Sequence, residues 1–184
     1  MTATTLPTTL SAGSWAADAS HSEAGFTVRH AGISKVRGFV GITEATITIG
    51  DDLSASGVTA TLDALTIDTR DANRDGHLKG ADFFDVENYP TWTFTSTSVT
   101  GSGAEAVVAG DLTIHGVTRP VTLATSFNGT AVDPYGNLRA GFSASTEISR
   151  KDFGLTWNAA LEAGGVLVGD KVKITLDISA IKQA

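Results

Sequence analysis

The sequence predicts an all-β fold, an up-and-down barrel of about eight or nine antiparallel strands with one short helical excursion at about residues 68–88. Three observations carry this. Apolar and polar residues alternate with a period of two over most of the chain, the period of a half-buried strand. Turns built on Gly, Asp and Asn punctuate that alternation at even spacing. The alternating runs are long, and closing a sheet on itself removes edges that a two-sheet sandwich, the competing architecture, leaves open.

Taken in order, residues 1–13 (MTATTLPTTLSAG) read as a flexible lead-in, and 14–184 as a single domain. Trp15 opens the ordered part, and Asp18 to Ser22 is a polar turn. Phe26, Val28 and His30 alternate with Thr27 and Arg29. After the Ala31-Gly32 turn, Val36, Gly38 and Val40 oppose Arg37, Phe39 and Gly41. Ala45, Ile47 and Ile49 continue, and Gly50-Asp51-Asp52 turns the chain. The next strand carries Val58, Ala60 and Leu62 on one face, and its parity then shifts to Leu65 and Ile67. That shift predicts a bulge near Asp63-Ala64.

The period then changes. From Ile67 to Pro90 the charges of Asp68, Arg70, Asp71, Arg74, Asp75, Lys79, Asp82, Asp85 and Glu87 surround His77, Leu78, Phe83 and Phe84. Thr69 is placed to cap a short helix and Gly80 to end it, with Tyr89-Pro90 blocking its extension. A charged exterior over two Phe suits a lid over a barrel mouth; an ordinary connector whose Phe83 and Phe84 extend the core is the alternative. Strand alternation resumes at Trp92 and Phe94, turns at Gly101-Ser102-Gly103, and runs through Val108, Leu112 and Ile114 to His115-Gly116. Pro120 marks an irregularity or an edge before Val121, Leu123 and Phe127. Leu138 to Ile148, then Val172 to Ala180, are regular strands separated by the less regular Arg150–Leu161 stretch with Phe153 and Trp157. Arg150 and Asp152 lie beside the inward Phe153, so Arg150 is expected to pair with a carboxylate of the 68–87 run, with Phe153 or Trp157 near Phe83 or Phe84.

Composition excludes several functions. With 13 Lys and Arg against 20 Asp and Glu, the formal charge is −7, and the sequence shows no basic patch. Nucleic acid and anionic membrane surfaces are not expected partners. No apolar run approaches the roughly 18 residues of a membrane span, so no stable membrane insertion is expected. The N-terminus lacks a basic n-region and an apolar run, which points to a cytoplasmic protein. There is no Cys. His21, His30, His77 and His115 fall on separate elements without ligand spacing, and no Gly-x-Ser-x-Gly elbow is present, so neither a metal site nor a catalytic nucleophile is expected.

Specific motifs then accumulate. They are Asp18-x-x-His21-Ser22, Phe26-x-Val28-x-His30, Ile67-Asp68-Thr69, Arg74-Asp75-x-His77-Leu78, Asp82-Phe83-Phe84-Asp85-Val86 and Tyr89-Pro90. Gly110 to Thr118 (GDLTIHGVT), Arg150-x-Asp152-Phe153-Gly154-x-x-Trp157 and Val168-Gly169-Asp170 follow. In order and over nearly the whole chain, this set resembles the YceI-like family of polyisoprenoid-binding, lipocalin-fold proteins. The resemblance implies an extended eight-stranded antiparallel lipocalin-like barrel with a helical excursion. It also implies a long-chain isoprenoid lipid, polyprenyl or isoprenoid quinone in type, held in an apolar tunnel for carriage, storage or sequestration. Many relatives are exported to the periplasm. The candidate lining is Phe26, His30, Phe39, Phe83, Phe84, Trp92, Phe94, Leu112, Phe142, Phe153 and Trp157; His77, Arg150 and Asp152 are candidates for the head group or a lid clamp. The resemblance also favours the lid over the connector. No enzyme activity and no cofactor beyond the bound lipid are expected, and a homodimer stays open. An enzyme or haem or metal protein acting on a lipid-like substrate, and a stress-related protein with a filled barrel, are the competing functions.

Overall fold

The computed structural model describes residues 4–184 as nine strands and one short helix. The strands are β1 (Gly13–Ala17), β2 (Glu23–His30), β3 (Ser34–Ile49), β4 (Gly57–Asp68), β5 (Thr91–Ser102), β6 (Glu105–Ile114), β7 (Val117–Val132), β8 (Leu138–Ser149) and β9 (Val168–Lys182), with α1 (Ala72–Lys79) between β4 and β5. Each strand from β2 onward pairs antiparallel with its chain neighbours, and β2 pairs with β9, so the sheet closes into a barrel of eight positions. The position between β3 and β9 is filled by two strands end to end. There β2 pairs with Ser34–Val40 and Val168–Asp177, and β1 pairs further along, with Thr46–Ile49 and Ala180–Lys182.

The irregularities have local causes. Between the pairs Gly41↔Asp63 and Phe39↔Asp68, β4 carries residues 64–67 against a single residue of β3, where the parity shift placed a bulge. The Thr66 hydroxyl fills the gap by accepting the Gly41 N–H at 2.7 Å. Pro120 pairs with β6 alone, because β8 joins β7 only from Ala124 onward; the missing N–H therefore faces no partner strand.

Both barrel ends are covered. At one, α1 and the turn to Pro90 bring Leu78, Phe84 and Val86 onto a core with Phe153, Leu155 and Trp92. The helix begins two residues later than the sequence indicates: Asp71, not Thr69, is the cap, and accepts the N–H groups of Asn73 and Arg74 at 3.0 Å. Thr69 is buried and serves as a hub, its hydroxyl donating to Asp75 and accepting from Arg74. At the other end the supposed flexible lead-in is packed from Thr4 onward; residues 1–3 lie outside the described residues. Leu53 and Gly103 donate their N–H groups to the carbonyls of Thr4 and Thr5, and Leu10 is buried with Trp15, Ile49 and Ala180. The composition of this segment is polar, but its few apolar side chains meet an apolar barrel end.

Candidate functional site

The interior holds a cavity of about 310 Å³ running between the two covered ends. Strand parity builds it. Val172, Ile174, Leu176 and Ile178 of β9 point inward, as do Val40, Ile42, Ala45, Ile47 and Ile49 of β3, where the bulge between Ile42 and Glu44 switches parity. Pro7 and Leu10 close the lower end, and Leu78, Phe83 and Phe84 the upper. Among the described residues only Ser56, Thr125, Thr146 and Arg150 bring a hydroxyl or a charge to this wall, and Trp92 an indole. Such a surface binds apolar matter through burial and offers little to fix a polar ligand.

Of the sequence-derived lining, Phe26, Phe83, Phe84, Trp92, Phe94, Leu112 and Phe142 stand at the cavity wall. The Phe84 and Trp92 rings meet at 4.7 Å under the lid. Four residues lie elsewhere. Phe39 has the outward parity of Arg37 and packs across Gly25 on the barrel exterior. His30 sits past the bulge that follows Val28, at the rim, in a separate outer groove with Phe39. Phe153, 1% exposed, is core beneath the lid. Trp157 stacks behind Phe83 at 5.3 Å, one layer removed from the cavity. An aromatic side chain filling the core and one lining a cavity share the same sequence pattern, and parity excluded only Phe39. Sequence reasoning passed over the aliphatic majority, such as Ile47, Val108 and Leu176, although the alternation itself marked them.

The expected clamp is corrected. Arg150 is 4% exposed, lies in the 3-10 turn Arg150–Phe153, and bonds no carboxylate of the 68–87 run. Its guanidinium donates instead to four carbonyls: Gly169 (2.9 Å), Leu155 (2.6 Å), Trp157 (2.9 Å) and Val168 (3.3 Å). Burial lowers its pKa from the ordinary arginine value, opposed by the charge of Asp170. Burial acts against the Asp170 charge too, but the Ser149 hydroxyl, the Lys151 N–H and the neighbouring cations outweigh it and hold that carboxyl low. The chain supplies this neighbour locally, so no long-range partner is needed. The packing part of the expectation does hold, since Trp157 lies on Phe83 and on His77 at 4.8 Å. His77 is an exposed outer support whose Nε2 lies 2.9 Å from Asp82, and Asp152 is exposed in the turn. Among the described residues no group of three or more His, Asp or Glu side chains gathers as metal ligands.

The geometry has counterparts among known proteins. The Campylobacter jejuni YCEI protein superposes with a TM-score of 0.68 at 27% identity, covering 85% of this chain and 90% of that one. Burkholderia cenocepacia BcnA (TM-score 0.76, 20% identity, 89% and 98% covered) shares the fold. So does a polyisoprenoid binding domain from Saccharophagus degradans (TM-score 0.66, 14% identity, 94% and 100% covered). In sequence, Protein YceI of Escherichia coli O157:H7 is 41% identical over 136 residues, which is 73% of this chain and 71% of that protein. With the YceI-like domain model matching residues 15–180 on top of this closed barrel, the chain belongs to the YceI-like family.

Proposed function

We propose that the barrel is a binding protein, not an enzyme, and that it holds one long isoprenoid chain for carriage, storage or sequestration. The observation that carries this is the cavity wall, apolar apart from Ser56, Thr125, Thr146, Arg150 and the Trp92 indole. At about 310 Å³ the cavity is at the small end for ligand sites, which suits a narrow chain over a broad ring system. Its β9 wall extends from Val168 to Ile178. At about 3.4 Å per residue and a strand tilt near 40°, that gives a tunnel roughly 25 Å long. A tunnel of that shape takes a chain lengthwise, and its volume limits how much of the chain it encloses. The fold shared with a polyisoprenoid binding domain agrees with this class of ligand.

Arg150 is the residue we assign to a head-group oxygen. Its four carbonyl bonds leave one N–H of the five over, on a side chain that reaches the cavity wall near the lid. The chain would then lie head toward the lid and tail toward Leu10. The test is mass spectrometry of an organic extract of the purified protein, beside the variant Ala144→Phe, which places a ring in the tunnel from β8. The wild type should release a polyprenyl compound near one per protein, and the variant at least tenfold less. Equal extracts from the two, or no isoprenoid from the wild type, refute the proposal.

A further inference from the structure

The fold assembles a basic rim that the linear sequence hides. A groove outside the barrel, at the lid end, is lined by Lys35 and Arg37 of β3, by Arg70 of the turn into α1 and by Arg74 of α1 itself. Arg29 stands directly across from Lys35 in the β2–β3 pair. Five of the 13 Lys and Arg thus gather at one place on a chain of formal charge −7, and none of the five forms an ion pair among the described residues. Three carboxylates lie close by, and each is engaged by the turn: Asp68 accepts the Arg70 N–H, Asp71 caps α1, and Asp75 holds Thr69. Like charges directly opposite on paired strands destabilise a sheet. The Arg29–Lys35 pair therefore lowers stability unless an outside anion compensates it.

The apolar neighbours are equally specific. Ile33, at the tip of the β2–β3 hairpin, is 87% exposed. The Ala31 N–H bonds Leu167 O at 2.7 Å, which brings Val166, 52% exposed, beside that tip. Aliphatic tips flanked by cations match a lipid surface, where the tips enter the acyl boundary and the cations meet anionic head groups. The groove also adjoins the cavity. A methyl added at Gly38 would collide with the Phe26 ring, which lines the cavity, and lie 2.8 Å from Thr69 Cγ2, which lines the groove. The remaining acidic residues of the lid segment, Asp82, Asp85 and Glu87, are not among those lining the groove.

We propose that this rim (Arg29, Ile33, Lys35, Arg37, Arg70 and Arg74) docks the protein reversibly on an anionic lipid bilayer, presenting the lid end of the cavity to the membrane. The proposal rests on the lipid-binding reading for its purpose but not for its test. Flotation with phosphatidylcholine vesicles, with and without about 30% phosphatidylglycerol, measures docking. The wild type should float with the anionic vesicles only, and about 0.5 M salt should release it. Lys35→Glu with Arg37→Glu should weaken docking at least tenfold, at about fivefold per lost cation, while Lys35→Glu alone should melt no lower than wild type because it faces Arg29. Ile33→Ser should weaken docking without altering its salt dependence.

Equal flotation with neutral vesicles, or an undiminished double variant, overturns the proposal. So does release by millimolar inorganic phosphate at constant ionic strength, which would make the groove a free-anion site. Uptake of a polyprenol from neutral detergent micelles, read by mass spectrometry of the protein repurified from the micelles, separates the two readings. Uptake without docking sinks the rim alone, and docking without uptake sinks the lipid-carrier reading alone.

Discussion

Arg150→Ala removes a cation whose partners are all backbone. Four carbonyls, of Leu155, Trp157, Val168 and Gly169, lose their donor together. A bond from a charged donor is worth about 1.5–3 kcal/mol, so four would total far more than is lost, because water reaches some of the freed carbonyls and the buried guanidinium no longer has to be desolvated. Trp157, Val168 and Gly169 are half-buried and can rehydrate, whereas Leu155 is buried and cannot. The net loss is about 3–5 kcal/mol, read as a lower urea midpoint at unchanged slope. Arg150→Lys keeps the charge but not the planar fork, and should fall between the two. Because no carboxylate of the lid is involved, Asp82→Asn and Asp85→Asn should leave the unfolding free energy within about 0.5 kcal/mol of wild type. A loss below about 1 kcal/mol for Arg150→Ala, or an equal loss for Asp85→Asn, would refute the carbonyl-clamp account.

Two further outcomes follow from local geometry. Asp18 and Asp133 are held well below the ordinary carboxylate range, Asp18 chiefly by the Ser20 hydroxyl and then Arg139, Asp133 chiefly by Asn137 and then Arg139. Their folded values lie below the unfolded value of about 3.9, so the stabilisation is complete above pH 4 and fades as the pH falls; the gap between wild type and Arg139→Ala in denaturant midpoint should narrow steadily below pH 4, and a constant gap down to pH 2 would contradict this. Gly110→Ala should destabilise by about 1–3 kcal/mol in a thermal or urea melt, since its methyl would collide with the Phe94 ring and stand 2.6 Å from Thr95 O, and an unchanged melt would mean that β5 yields freely there.

Much of the barrel could be read from period-two alternation, because a closed sheet forces one parity inward along every strand. That same rule located the bulge at residues 64–67, since a parity change needs an unpaired stretch. It also contradicted the choice of Phe39, which alternates with Val40 and so faces out. Other features were not local. Nothing in Leu10 or Pro7 announces a barrel end, because their apolar character acts only once the rest of the sheet presents a surface for it. The partners of Arg150 were invisible for a different reason. Every residue offers a carbonyl, so a guanidinium satisfied by main chain leaves no signature in side-chain composition. The basic rim escaped because its cations lie in two stretches, 29–37 and 70–74, that only the β3–β4 seam brings together.

The motif Asp18-x-x-His21-Ser22 finds its physical reason in the barrel position shared by β1 and β2. Two strands laid end to end leave a gap along β9 where neither can pair, between Asp177, opposite Glu23, and Ala180, opposite Ala17. The backbone of Ser179 falls in that gap. Its carbonyl accepts the Asp18 N–H at 2.8 Å, and its N–H donates to the Ser22 hydroxyl at 3.1 Å, so the turn between the strands supplies what a continuous strand would have. Asp18 then fixes the turn, accepting from the Ser20 N–H and hydroxyl and lying 2.8 Å from His21 Nδ1, while Arg139 reaches from β8 to bond it at 2.9 Å. The consequence is length. β3 and β9, at 16 and 15 residues, are longer than β2 at 8, and the short β1 extends the wall that β2 cannot. A joint held by one carboxylate and two serines thus lets the cavity reach Ile47, Ile49 and Leu10 beyond the end of β2, along a wall that neither strand could line alone.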